Sequence, residues 1–257
     1  MQTTFFKYHG TGNDFILVDD REEHFVQETK KIAQLCHRRF GIGADGLILL
    51  QNHPELDFRM IYFNSDGKIS SFCGNGGRCI SAFAKFLSIV ETKATFAAAD
   101  GIHEARFKQD LVHLKMGDVH GIKHLPEGDF WLDTGSPHYV SFVEKLESLD
   151  VDQAGRTIRN SPSFRAEGTN VNFLEQDSDD SIRVRTYERG VEAETYSCGT
   201  GVTAAALVVG MQNKEITEVQ IKTPGGNLRV AFNRTDDDHF SDIWLIGPAV
   251  QVFKGTL

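Results

Sequence analysis

Two cysteines stand where a thiol could give or take a proton. Cys73 opens the run Cys73-Gly74-Asn75-Gly76-Gly77-Arg78-Cys79, and Cys198 opens Cys198-Gly199-Thr200-Gly201-Val202-Thr203. In each, a glycine-rich turn passes into a long apolar run, residues 80–90 and 202–211, which predicts a helix buried on all sides. The first turn of such a helix offers backbone N–H groups and partial positive charge, so it holds anions and favours a thiolate. Two candidate reactive thiols follow.

If the two helix mouths face each other across a cleft, one thiolate can take a proton from a carbon while the opposite thiol supplies one to the other face. The centre is then inverted. For the α-carbon of an amino acid, the charge left by proton removal collects on the carboxylate. Backbone N–H groups of Gly74, Asn75, Gly199 and Thr200 are the expected donors to it, in place of an electron-sink cofactor. The ten histidines are scattered and nothing in the sequence demands a metal, so neither a metal nor another cofactor is expected.

The remaining cysteines, Cys36 and Cys79, lie inside apolar-periodic stretches and read as buried hydrophobes. Four cysteines in 257 residues make no disulfide framework. A net charge of −9 without a Lys/Arg cluster argues against nucleic acid and anionic membranes as partners and leaves a small polar substrate. No run reaches about 18 apolar residues, and the amino terminus lacks the pattern of a leader, so a soluble cytoplasmic protein is expected.

The elements that must carry these thiols recur. Strands are predicted at 5–7 and 15–18 around a loop at 8–14, a helix at 29–40 stopped by Gly41, strands at 47–50 and 57–63, then the first cysteine helix and three strands within 94–116. A shift of 125 lays Cys73 on Cys198, Gly101 on Gly226 and Phe107 on Phe232. Upstream, a shift of 158 lays Gly10-Thr11 and Phe15 on Gly168-Thr169 and Phe173, which implies one extra helix in the first half. The expectation is an α+β protein of two similar halves, 1–118 and 119–246. Each is a bent, mainly antiparallel sheet around its own buried helix, and the closing stretch 247–257 returns to the first half.

At these residues the chain resembles the diaminopimelate epimerases. The carriers are His9-Gly10-Thr11-Gly12-Asn13-Asp14-Phe15, Phe63-Asn64-Ser65-Asp66-Gly67, the two cysteine runs, Gly168-Thr169-Asn170-Val171-Asn172-Phe173 and Tyr187-Glu188-Arg189-Gly190. The resemblance spans essentially the whole chain. It implies two pseudo-symmetric, barrel-like halves, a homodimer, and cofactor-free interconversion of LL- and meso-diaminopimelate on the route to lysine and cell-wall peptide. By the same motifs Cys73 and Cys198 are the acid and base, and Asn13, Asn64 and Asn170 bind substrate. Glu188 and Arg189 hold its amino and carboxylate groups, and His138 with Glu188 tunes the thiols. Two positions depart from a common pattern: Gly46 stands where some members have glutamine, and Ser136 where some have asparagine.

Two rival functions stay in view. Proline racemases and hydroxyproline epimerases resemble the same pattern, but Arg189 with three asparagines suits a substrate with a second charged end. A redox or metal-binding module would use Cys73 and Cys198 as a regulatory disulfide or as ligands. No second cysteine pair stands at zinc spacing.

Overall fold

The run Gly46-Leu47-Ile48-Leu49-Leu50-Gln51 has no polar face to give to water, and all six residues are buried. It forms the middle strand of the first half. The computed structural model describes residues 3–236 and 238–257. Met1 and Gln2, the first residues of the amino terminus read above for a leader, lie outside the described residues. The chain divides into two compact units, Met1–Leu114 with Gly247–Leu257, and Lys115–Ile246. The division thus falls inside the strand that ends the first half rather than beyond it at 118.

In the first unit β1 (Thr4–Gly10) and β2 (Asn13–Asp19) form a hairpin. The expected loop at 8–14 is reduced to the turn Thr11-Gly12, because the strand pairing continues through His9↔Asp14 to Gly10↔Asn13. A helix, α1 (Thr29–Cys36), carries the chain to β3 (Gly46–Gln51), which runs parallel to β2. The helix stops short of the expected Phe40. The His37 ring takes the N–H groups of Arg39 and Phe40, both at 3.1 Å, away from the helical ladder. Next come β4 (Phe58–Asn64), the cysteine helix α2 (Gly74–Phe86), β5 (Lys93–Ala98), β6 (Gly101–Lys108) and β7 (Leu111–Lys115).

The apolar run 80–90 is not helical to its end. Ser88 turns left-handed at φ 59° and the Ile89 N–H reaches back to the Ala84 carbonyl at 3.0 Å, closing the helix. Phe86 is correspondingly exposed. The last strand of the chain, Val250–Thr256, pairs antiparallel with β1 and so belongs to this unit.

The second unit repeats the plan. Its strands are β8 (Lys123–His124), β9 (Phe130–Asp133), β10 (Pro137–Phe142), β11 (Asn170–Ser178), β12 (Ser181–Glu188), β13 (Ala193–Thr195), β14 (Glu218–Thr223), β15 (Gly226–Arg234) and β16 (Phe240–Gly247). Pairings β9–β10, β10–β11, β11–β12, β12–β14 and β14–β15 follow β1–β2, β2–β3, β3–β4, β4–β5 and β5–β6 in order and direction. Gly101 and Gly226 open their hairpin strands at φ 140° and 141°, a backbone that L side chains rarely adopt.

One sequence expectation fails here. The second half does not lack a crossover helix, because α3 (Val151–Arg159) joins the parallel pair β10 and β11 as α1 joins β2 and β3. Parallel neighbours need a crossover, so both halves require one. The shift of 158 was therefore misleading: Phe15 lies on β2, whereas Phe173 lies on β11, the counterpart of β3. The second cysteine helix, α4 (Gly199–Gln212), is buried all round through Gly210 apart from Thr200. Fully burying Val202, Leu207, Val208 and Val209 stabilises it by about 1.5–3 kcal/mol each.

Candidate active site

Both cysteines are helix N-caps in extended backbone, and neither helix has a side-chain cap: Cys73 at φ −123°, ψ 120° and Cys198 at φ −114°, ψ 113°. The first helical bonds are Gly77 N–H to the Cys73 carbonyl, 2.7 Å, and Val202 N–H to the Cys198 carbonyl, 2.9 Å. The N–H groups ahead of them lie outside the helical ladder, the geometry that receives an anion.

In each unit the same strand ends surround the mouth. In the first they are the start of β2 with Asn13 and Asp14, the start of β3 with Gly46, and the end of β4 with Asn64. In the second they are the start of β10 with Pro137 and His138, the start of β11 with Asn170, and the end of β12 with Glu188. Register fixes this: Phe15 faces Gly46 and Gly46 faces Asn64, while His138 faces Asn170.

Around Cys73 the side chains form a polar relay with charged ends. The thiol donates to Asn13 Oδ1 at 3.6 Å, and Asn75 Nδ2 donates to the same oxygen at 3.2 Å. Asn13 Nδ2 donates to Asp45 Oδ2 at 2.7 Å, and Arg78 Nη2 donates to Asn75 Oδ1 at 3.0 Å. A carboxylate only accepts and a guanidinium only donates, so both amides are oriented without ambiguity. Beyond Asp45 lie Arg38, bridging Asp14 and Asp45 at 2.7 Å each, and Lys7, 2.6 Å from Asp14. Burial alone would raise the Asp14 carboxyl, but Arg38 and Lys7 outweigh it and hold it at about 2.

Arg78 is completely buried, with burial pushing its guanidinium down from the ordinary value, and its Nη1 has no partner among the described residues. Asn64 is exposed at the end of its strand. Gly46 has no room for the glutamine side chain seen in some members: an added Cβ would stand 2.5 Å from both the Phe63 carbonyl oxygen and the Tyr62 ring.

Around Cys198 the first bonds are between uncharged groups, and the charges of Glu188 and Arg189 stand at the strand end. The thiol lies 3.5 Å from the Thr200 hydroxyl, and Thr134 Oγ1 donates to the Thr200 carbonyl at 3.0 Å. Asn170 gives both amide hydrogens to the protein, to Ser136 Oγ at 2.9 Å and the Pro137 carbonyl at 3.1 Å, while its oxygen accepts from Arg189 N–H at 2.9 Å. Its visible work is to hold Ser136 and Arg189. Glu188 accepts from Thr195 at 2.9 Å, and the exposed Arg189 donates from Nη1 to the Glu167 carbonyl at 3.1 Å. His138 is fully buried, and burial, helped by the charge of Arg189, pushes its ring down to about 3.

Several participants escaped the sequence: Asp45, Thr134, Thr186 and Asn172. The first stands in Gly43-Ala44-Asp45-Gly46 beside a strand start. Asn172 could have been found by alternation, since strand residues two apart share a face and Asn170 was already singled out. Cys36 and Cys79 are buried, and burial raises both thiols, Cys36 to about 11. They are inert neighbours.

The chain is a duplicated α+β protein with a thiol at each buried helix mouth, and its family and relatives make it an isomerase of the epimerase type. Solved structures share the fold: a Bacillus anthracis phenazine biosynthesis protein of the PhzF family covers 100% of this chain and 99% of its own at TM-score 0.78 and 13% identity. A hydroxyproline epimerase from Agrobacterium vitis covers 100% of this chain and 92% of its own at TM-score 0.68 and 14% identity. The chain belongs to the diaminopimelate epimerase family, whose model matches residues 5–122 and 130–252. Diaminopimelate epimerase of Flavobacterium psychrophilum is 48% identical over 98% of this chain and 99% of its own. That of Chlorobaculum tepidum is 41% identical over 96% and 98%.

Proposed function

We propose that the protein interconverts LL- and meso-diaminopimelate by carrying the α-proton between Cys73 and Cys198, without a cofactor. The observation that carries this reading is the repetition of one arrangement: a cysteine as N-cap, without a side-chain cap, of a buried helix in each unit. Family membership supplies the substrate.

In the reaction one thiolate removes the α-proton and the other thiol protonates the opposite face of the same carbon. Backbone N–H groups of Gly74, Asn75, Gly199 and Thr200 receive the substrate carboxylate as charge builds on it. Fixed donors of this kind are each worth about 3 kcal/mol at the transition state. Asn13 keeps one amide hydrogen beyond its bond to Asp45 for substrate. Asn170 has given both of its own away, so it meets substrate only through its oxygen. Glu188 takes the ammonium group, and Arg189, a planar fork on an exposed strand end, takes a carboxylate in two parallel bonds. Asn64 completes the pocket from the end of β4, and His138 with Glu188 tunes the thiols. The protein works as a cytoplasmic homodimer supplying lysine and cell-wall peptide synthesis. Among the described residues no helix is long and apolar enough to cross a membrane.

The test is proton NMR of reduced protein in D₂O with meso-diaminopimelate, and with proline and hydroxyproline in parallel. Loss of the α-proton signal and growth of the LL isomer with diaminopimelate alone is the expected result. Exchange only with the proline-type substrates moves the protein's substrate to that class, and no exchange with any of them overturns the reaction.

A further inference from the structure

Asn172 is completely buried on β11 and bonds to His138, Tyr139 and Thr186 of the same unit. Its Nδ2 donates to the Tyr139 carbonyl at 2.9 Å and lies 3.1 Å from His138 Nδ1. Its Oδ1 accepts from Thr186 Oγ1 at 2.9 Å. The Tyr139 carbonyl cannot donate, so the nitrogen end of the amide must face it, and the same nitrogen then faces His138. His138 Nδ1 is thereby required to accept. In a neutral ring the hydrogen must sit on Nε2.

That Nε2 is buried and has no partner among the described residues. A buried donor left unmatched is costly and uncommon and calls for a specific explanation, one of which is an acceptor that arrives with a ligand. The network also touches the thiol. The point where a Cβ on Gly201 would stand is 2.3 Å from Asn172 Oδ1 and 3.3 Å from Cys198 Sγ, so the amide and the sulfur share one side of the α4 mouth. Glycine at 201 is what lets them.

We propose that Asn172 is a positioning residue that holds His138 as a neutral imidazole with its hydrogen on Nε2, a fixed donor kept for an anionic acceptor arriving at the mouth of α4. The nature of that acceptor, the carboxylate of an amino acid, rests on the reaction proposed above. The tautomer does not. Asn172 acts only through His138, whose Nε2–H can share charge without ever delivering a proton to solvent.

The experiment is a two-bond ¹⁵N–¹H correlation on ¹⁵N-histidine protein at neutral pH, with His138→Gln identifying the ring among the ten histidines. The wild-type spectrum is expected to show a bare Nδ1 and a protonated Nε2, with the Nε2 signal moving on addition of meso-diaminopimelate. In Asn172→Asp the hydrogen is expected to move to Nδ1, and in Asn172→Ser the two tautomers should mix. Both variants should lower kcat about tenfold or more with KM changed less than about threefold. A wild-type ring protonated on Nδ1 overturns the proposal, and so does an Nε2–H ring unchanged in folded Asn172→Ser. Should Asn172→Asp not fold, the wild-type and serine spectra decide alone. The expected tautomers with no turnover of diaminopimelate would leave this inference standing and remove the proposed substrate.

Discussion

The two cysteine mouths share a backbone and differ in electrostatics. Strand ends, helix start and cap geometry are duplicated, yet Cys73 is backed by Arg78, Asp45, Asp14, Arg38 and Lys7, whereas Cys198 is backed first by Thr200, Thr134, Asn172, Thr186 and an uncharged His138, with the charges of Glu188 and Arg189 at the neighbouring strand end. The geometry needed to hold an anion at a helix start resides in the main chain, so a duplication copies it whole. Side-chain support is free to diverge, because differently composed hydrogen-bonded networks can each fix a thiol's position.

The sharpest way to break the comparison is to remove one thiol at a time. Cys73→Ala and Cys198→Ala should each lower epimerisation by at least about 10³-fold, because a single group cannot serve both faces of one carbon. Folding should be retained, since neither thiol side chain caps its helix. Circular dichroism with the D₂O assay checks both points, and near-normal turnover by either variant would end the two-thiol mechanism.

Acid should separate the units next. His138 is depressed from 6.5 to about 3, so its contribution is present above pH 6.5 and is lost as pH falls towards 3, by up to about 1.4 kcal/mol per pH unit. Asp14, depressed from 3.8 to about 2, contributes above pH 3.8 and loses its share only between 3.8 and 2. The second unit is therefore expected to loosen first on acidification. Hydrogen exchange read separately for the two units measures this, with His138→Gln as the control that flattens the upper window. Equal loosening of both units at mild acidity would contradict the assignment.

Packing at the mouths offers a smaller contrast. Gly201→Ala puts a methyl 2.3 Å from the buried Asn172 Oδ1, whereas Gly76→Ala meets the methyl ends of Ile48 and Met60 at 3.1 and 3.2 Å and Cys73 Cβ at 3.6 Å. Denaturant unfolding should find the first costing about 2 kcal/mol and the second less than about 1. Reversal of that order would show that the Asn172 network gives way easily. Of similar size is Asp14→Asn, which leaves Lys7 and Arg38 without their shared carboxylate. It should cost about 1–2 kcal/mol at neutral pH, and the difference from wild type should shrink on titration towards pH 2, because protonated Asp14 resembles the amide.

What was legible in the chain was local. Cys73 and Cys198 could be found because a glycine-rich turn, a cap position and an apolar run are contiguous, and the hairpin around Gly101 and Gly226 repeats at one spacing. Less local features misled or stayed silent. The helix α3 carries a cap at Asp150, which accepts from Gln153 N–H at 3.0 Å, and basic residues in its last turn, but only Val151 and Gly155 are buried. Its weak apolar stripe hid it behind a stronger coincidence of Gly, Thr and Phe. His37 likewise ended α1 early through its own ring, where helical periodicity ran on.

The sequence by itself determined the two helix mouths and the thiols at them, because helix burial and capping are properties of a few consecutive residues. Tertiary structure alone decided what stands behind each thiol. Parallel pairing of β10 with β11 brings His138 beside Asn170 and, two residues on, Asn172, while parallel pairing of β2 with β3 brings Asn13 to Asp45. Those partners lie about thirty residues apart, joined by a crossover helix, and only the register of the sheet sets which side chains meet.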